Sequence, residues 1–355
     1  MKRQELIFDR PQDLVATLPA EEAGMARDNG RLLVSISSAH THARFRDLAQ
    51  FLRSGDLLVV NRSATLPASL AAVGSVGEFM LNLSTDYGNG LWLAEPRFSA
   101  AKPGPLPGLA AGQTFTAAGV NGRLVSPYPG IQRLWFVQFS ADIYSAMHRF
   151  GRPVRYGYVQ GQFDLKHYQT VFANTPGSAE MPSAAYPFTR RILQRLHLRG
   201  VQIASIVLHT GVSSLEVEVD EVEQHMLYPE PFCVSRSTAA AVNQARIEGR
   251  RVIALGTTVV RALESAWDGY KVRAESGFTR LYIHPQRGVH VVDGLLTGLH
   301  DPVTSHLAML YAVAGQKLIR DAYHEAVAAG YRWHEFGDSH LIIPEERTVN
   351  QISVS

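Results

Sequence analysis

Residues 251–265 read RVIALGTTVVRALES. Four apolar residues, Val252, Ile253, Ala254 and Leu255, stop at Gly256; two threonines follow, and then Val259, Ala262 and Leu263 recur at helical spacing. That order predicts a buried strand, a tight turn and a helix start. Gly256 lets the backbone approach a ligand closely. The exposed N–H groups of a first helical turn, flanked by the hydroxyls of Thr257 and Thr258, suit an electron-rich group. The same pattern describes a strand-to-helix corner whose threonines only cap, and spacing alone leaves both readings open.

At 355 residues the chain is long for one domain and comfortable for two. With 46% hydrophobic and 19% charged residues it has the material for a substantial core, which excludes global disorder. A formal net charge of +2 gives no bulk electrostatic case for a nucleic-acid binder, although a local basic patch is compatible with it. Cys233 is the single cysteine, so an internal disulfide and a cysteine metal cluster are both excluded, as suits a reducing compartment. The start, Met1 to Glu5, leads into no long apolar segment, and no stretch approaches the length of a bilayer span. A soluble cytoplasmic protein without a membrane partner is expected.

Outward from the opening stretch, the chain divides by texture. The first sixty residues look α/β, with a strand over 32–35, a helix around 45–52 and a strong strand over 57–60. From about 65 to 139, β-like runs over 78–83, 91–93, 113–115 and 133–139 alternate with Gly- and Pro-rich turns such as KPGPLPG at 102–108. This spacing predicts a small β-barrel or sandwich. A short helix follows at 140–150. Beyond 189 helices and apolar strands alternate: helix 190–199, strand 201–209, helix 238–248, strand 252–255, strand 279–283, an apolar run at 289–292, and helical spacing over 305–329. Such alternation predicts a mostly parallel sheet, open or closed as a barrel.

A series of motifs runs through this frame: Tyr168-Gln169-Thr170-Val171-Phe172, Gly177-Ser178-Ala179, Leu208-His209, Gly256-Thr257-Thr258 with Arg261 and Leu263-Glu264, Val292-Asp293-Gly294, Leu299-His300, Tyr331-Arg332 and Phe336-Gly337-Asp338. Looser matches precede it at Phe8-Asp9, Pro11, Leu14, Arg31-Leu32, Gly55-Asp56, Asn61, Leu66-Pro67-Ala68 and Gly77-Glu78. In order and spacing they resemble the S-adenosylmethionine:tRNA ribosyltransferase-isomerase family of queuosine biosynthesis, over nearly the whole chain. The resemblance implies a large α/β barrel-like domain, 1–64 and 151–355, with an inserted small β-barrel domain over 65–150. It also implies S-adenosylmethionine as a ribosyl-donor substrate, no metal, and tRNA carrying 7-aminomethyl-7-deazaguanine as acceptor. The implied reaction removes a proton beside the sulfonium, expels adenine, joins the ribosyl unit to the amine and rearranges it to the epoxy-cyclopentane of epoxyqueuosine as methionine leaves. Such chemistry needs a base, stabilisation of the leaving adenine and exclusion of water.

The candidate catalytic residues are His300, His209 and Asp338. For donor binding they are Gly256, Thr257, Thr258, Arg261 and Asp293. His209 ends an apolar strand beside Thr210-Gly211; a histidine bonded at a domain seam is the competing reading. His300 falls at the family's histidine position. Asp338 and Asp293 flank glycines where a carboxylate suits ribose hydroxyls, or where it only makes a turn. Arg261 suits the methionine carboxylate, or an ion pair with Glu264. Several segments depart from the family pattern. Over 61–69 both family arginines are missing; 180–188 loses a Thr, a Gly and a His and gains Glu180; 211–215 and 298–302 also differ. These changes leave two further readings open: a paralogue with another acceptor, and a catalytically silent nucleotide- or RNA-binding relative. His306, His334 and His340 are extra histidines, of which His306 and His340, with His300 and Asp301, would make only a scattered metal set. For RNA, Arg152, Arg155, Arg190, Arg191, Arg195 and Arg199 lie near Tyr156 and Tyr158, and a solvated helix face explains the last four arginines equally well. The oligomeric state stays open, a monomer included.

Overall fold

The computed structural model describes residues 1–99, 102, 106–212 and 216–345. Strands β1 (Arg31–Ile36), β2 (Ala39–Arg44), β3 (Leu57–Asn61) and the short β4 (Ser63–Thr65) come first. Six strands then follow closely: β5 (Ser69–Gly74), β6 (Gly77–Asp86), β7 (Leu91–Arg97), β8 (Thr114–Ala117), β9 (Val120–Tyr128) and β10 (Ile131–Phe139). They close into an antiparallel barrel in the order β10-β7-β6-β5-β8-β9. The cause is visible in β8, where exposed and buried residues alternate along TFTA. Inward positions such as Leu70, Leu81, Phe115 and Val137 fill the barrel. Part of the 102–108 turn and residues 213–215 of the altered 211–215 segment lie outside the described residues.

The remaining elements are α1 (Tyr144–Phe150), β11 (Thr175–Ser178), α2 (Arg190–Leu198), β12 (Gln202–Leu208), β13 (Glu230–Val234), α3 (Arg236–Ile247), β14 (Val252–Leu255), α4 (Thr257–Ser265), β15 (Glu275–Thr279), β16 (Gly294–Gly298), α5 (Ser305–Ala314), α6 (Gln316–Ala328) and β17 (Ser339–Ile343). A nine-stranded sheet runs β15-β13-β12-β3-β14-β16-β17-β1-β2. It is apolar on both faces, which is why its central strands read as unbroken hydrophobic runs. In β3 and β14 alternate residues serve opposite cores. Leu57, Val59, Val252 and Ala254 pack with α3 to α6, while Leu58, Val60, Ile253 and Leu255 pack with α2 and Phe45. The α/β class and the small closed β-barrel carried between the strands of a large sheet are as expected; the large sheet itself runs from β15 at one edge to β2 at the other, where the resemblance implies a barrel-like domain.

The structure also corrects several element expectations. The sheet is mixed rather than mostly parallel: β12/β3, β3/β14, β14/β16 and β17/β1 are parallel, and its other pairings are antiparallel. The segment around 45–52 is a 3-10 helix, Phe45–Gln50. The helical run 305–329 breaks into α5 and α6 at Gly315, whose φ of +81° ends the first helix. The strand expected over 279–283 does not form beyond Thr279, the last residue of β15, and the apolar run at 289–292 is not a strand; in both places a side chain satisfies the backbone. Arg261 donates to the carbonyls of Thr279 (3.3 Å) and Leu281 (3.1 Å). The Glu264 carboxylate accepts the N–H groups of His290 (2.7 Å) and Val291 (2.8 Å). Backbone groups satisfied in this way need no sheet ladder.

Candidate active site

Because β12, β3, β14 and β16 run parallel, their carboxyl ends converge. Asn61, Thr210, Gly256 and Leu299 come together there, where open α/β sheets characteristically hold ligands. A cavity of about 500 Å³ opens at this edge. Its walls are the Gly256-Thr257-Thr258 corner, residues 180–184 and 297–302, Tyr156 and Tyr158, the pair His334 and Glu335, and Arg10 from the N-terminal segment.

The corner does more than cap. Gly256 takes φ +89° and ψ +158°, backbone that glycine alone adopts freely, and α4 has no side-chain cap. The first-turn N–H groups of Thr257 and Thr258 have no intrahelical acceptor, and both residues line the cavity. Asn61 fixes the corner from below. Its amide donates to the Leu208 carbonyl (2.8 Å) and to Thr258 Oγ1 (3.2 Å), and its oxygen accepts from the backbone N–H groups of Leu208 and Ser63. As the Thr258 oxygen already accepts a proton, its own hydroxyl proton is left to donate.

His300 also lines the cavity. Its Nε2 lies 2.8 Å from Thr297 Oγ1, and its ring stacks on His306 with centroids 4.8 Å apart. The His300 backbone is clamped, the N–H donating to Tyr323 OH and the carbonyl accepting from Trp333 Nε1. Burial, then the neighbouring histidines, hold His300 well below the usual imidazole range, and burial followed by Arg261 brings His306 down to about 4. Both rings are therefore unprotonated at neutral pH.

Of the eight residues singled out from sequence, Gly256, Thr257, Thr258 and His300 share this cavity and the other four do not. His209 lies just behind it, its Nδ1 2.7 Å from Ser63 Oγ, which in turn meets Ser178 Oγ at 2.6 Å. Burial lowers the His209 pKa. Arg261 is buried on the far side of His306 and pairs with Glu230, not Glu264. Asp338 accepts the N–H groups of Arg31 (2.6 Å) and Arg332 (2.8 Å), tying β1 to the loop that carries Glu335. Asp293 is exposed at the opposite end of β14, where it accepts from Val252 N. The carboxylates of Asp338 and Asp293 satisfy backbone, and neither reaches the cavity.

Sequence reading missed Glu335 and Arg10, and placed Tyr156, Tyr158, Asp301 and His334 elsewhere. The tyrosines, expected at an RNA surface, form a ladder inside the wall: Tyr156 stacks on Tyr158 at 5.8 Å and Tyr158 on His334 at 4.1 Å. Asp301 gathers Arg10 at 2.7 Å and His334 at 3.0 Å. The arginines of α2 and its end are exposed, with Arg195 and Arg199 bonded to the carbonyls of Arg46 and Leu52. Among the described residues no group of three or more His, Cys, Asp or Glu is arranged to hold a metal ion. No helix among them is long and apolar enough to cross a membrane. His340 is instead a core residue bonded to Ser35 at 2.7 Å, and burial brings its pKa down to about 3.

These buried histidines make stability depend on pH. An unfolded histidine binds a proton below about pH 6.5, whereas folded His306 and His340 stay neutral down to about 4 and about 3. Their contribution is complete above the unfolded value. It falls by about 1.4 kcal/mol per pH unit per histidine as pH drops from there towards the folded values. Urea denaturation at pH 7.5, 6.5 and 5.5 should show a falling midpoint below about pH 6.5, and equal midpoints would contradict this burial.

Comparison with known proteins is consistent across three independent measures. The family described as queuosine biosynthesis protein matches residues 3–342. The S-adenosylmethionine:tRNA ribosyltransferase-isomerase of Deinococcus radiodurans is 38% identical, covering 95% of this chain and 94% of that protein. The enzyme of the same name from Thermus thermophilus is 36% identical over 91% of this chain and 95% of its own length. In three dimensions the chain is similar to the crystal structure of S-adenosylmethionine tRNA ribosyltransferase from Thermotoga maritima. That match has a TM-score of 0.54 and 26% identity, and covers 96% of this chain and all of the other.

Proposed function

The chain belongs to the queuosine biosynthesis protein family, and on that premise we propose that it transfers and isomerises the ribosyl unit of S-adenosylmethionine onto 7-aminomethyl-7-deazaguanine in tRNA. Epoxyqueuosine, adenine and methionine are the products. The observation that carries this reading is the cavity at the carboxyl ends of the parallel strands, where an uncapped helix start and an unprotonated histidine line the same space. The Gly256-Thr257-Thr258 corner offers donors to the electron-rich parts of S-adenosylmethionine. His300, free of its proton at neutral pH, is the acceptor available to a proton beside the sulfonium, and His209 positions the wall behind it. Arg261, Asp293 and Asp338 have no direct part in this reading.

A second reading rests on one feature. The departed segment supplies five wall residues, Glu180, Met181, Pro182, Ser183 and Ala184, which favours a paralogue that keeps the donor and changes the acceptor. One assay separates the readings. The protein is incubated with S-adenosylmethionine, with and without tRNA carrying the aminomethyl base, and adenine and methionine are measured by mass spectrometry. Release that depends on the tRNA supports the first reading, and equal release without it supports the second. No release under either condition leaves the silent relative. In the productive condition His300→Ala should lower turnover by roughly 100-fold or more while the thermal midpoint stays near that of the parent. Undiminished turnover would remove His300 from the site.

A further inference from the structure

Glu335 is a half-buried acid, with one oxygen sealed, that the reading above leaves without work. It sits between Trp333 and Phe336, both buried, in a loop held by bonds from Trp333 N to the Leu14 carbonyl (2.8 Å) and from Gly337 N to the His334 carbonyl (2.9 Å). Its side chain lines the cavity, and Oε1 is sealed from solvent with no hydrogen-bond partner among the described residues. A carboxyl in this state is costly unless a partner arrives. Among the described wall residues, Arg10 is already paired with Asp301, His334 lies against the same carboxylate, and His300 and His306 are unprotonated. The other ionisable groups around the acid include Tyr158 and Tyr168, both kept protonated by burial, Tyr156, the carboxyls of Glu180 and Glu216, and Arg155, which acts on Tyr168 and donates to the Gly161 carbonyl. With Arg10 paired to Asp301, the further carboxyls of Glu180, Glu216 and Glu335 in the wall have no second arginine lining the cavity among the described residues, a balance suited to a cationic ligand.

We propose that Glu335 is the counter-ion of the donor's sulfonium, and that it gives its proton to solvent as that cation enters. The inference rests on S-adenosylmethionine being the donor. Burial pushes the empty-cavity carboxyl up to about 8, so it is mostly protonated at neutral pH. An opposite charge within a few ångströms lowers a carboxyl pKa by roughly 1–3 units, enough to ionise it near pH 7. Binding energy is thereby directed to the methylated, charged sulfur that separates the donor from its neutral thioether analogue.

Calorimetric titration at pH 7 in two buffers of different ionisation enthalpy counts the protons released on binding. S-adenosylmethionine should release roughly 0.4–0.9 proton per site, which is what a fall of 1–3 units from about 8 gives at pH 7, and S-adenosylhomocysteine, which lacks the S-methyl group and so carries an uncharged sulfur, should release none. Glu335→Gln should bind the thioether as the parent does, bind the sulfonium at least ~10-fold more weakly, and release no proton with either. Binding of both ligands with equal proton release would overturn the assignment of Glu335. Failure of both ligands to bind the parent protein would overturn the donor reading itself. The comparison of the two ligands on the parent protein decides the matter even if the variant does not fold.

Discussion

Arg261→Ala is expected to lower the stability of the fold by about 3–5 kcal/mol, because it removes one partner of a buried ion pair. The Arg261 and Glu230 side chains are only 10% and 3% exposed. The guanidinium spans three elements, pairing with Glu230 on β13 and donating to the carbonyls of Thr279 at the end of β15 and Leu281 beyond it. Glu230 would be left with the Gly211 N–H (2.7 Å) as its remaining hydrogen bond among these contacts, and both carbonyls would lose a donor. Arg261→Lys keeps a charge but not the planar fork, so it should recover part of the loss and not all of it. Urea denaturation measures the difference directly. If Arg261→Ala held its midpoint while the affinity for S-adenosylmethionine collapsed, the methionine-carboxylate role suggested by the sequence would return.

This arginine also shows what could be read from the sequence and what could not. The β14–α4 corner was legible because both faces of the sheet are covered. Four apolar residues in a row, a glycine and helical spacing describe it completely. Gly256, Thr257 and Thr258 were legible for the same reason, since they follow a strand end that the pattern locates, whereas His300 came from the family's histidine position, its strand β16 lying outside every segment that the pattern marks as a strand. The segment 279–283 misled because its backbone is satisfied by Arg261, about twenty residues away in sequence, as Glu264 does for the apolar run at 289–292, and periodicity carries no trace of such bonds. Asp293 and Asp338 misled in the opposite sense. An acid beside a glycine looks alike in sequence whether it faces a ligand or satisfies main-chain N–H groups. Glu335 carried no signal at all. Its importance lies in the partner it lacks, and only packing shows that.

Gly256→Ala tests the corner itself and should cut turnover by roughly 100-fold, the scale on which small misplacements of a binding element act. Two effects add. At φ +89° and ψ +158° any side chain strains the backbone, a cost of about 1–3 kcal/mol. A Cβ built at this position lies 3.2 Å from Ala184 Cβ, closer than the ordinary carbon contact. Ala184 belongs to the 180–184 wall, so relief of the crowding moves the α4 start, the wall, or both, away from the donor. A larger side chain, as in Gly256→Val, should be worse. Adding Ala184→Gly to Gly256→Ala removes the crowding and leaves the strain, so the double variant should regain turnover without regaining its thermal midpoint. Stability lost with kcat/KM unchanged would mean that the corner holds the fold together and does not touch the donor. A loss of kcat/KM that Ala184→Gly partly restores would tie the reaction to the gap between Gly256 and Ala184.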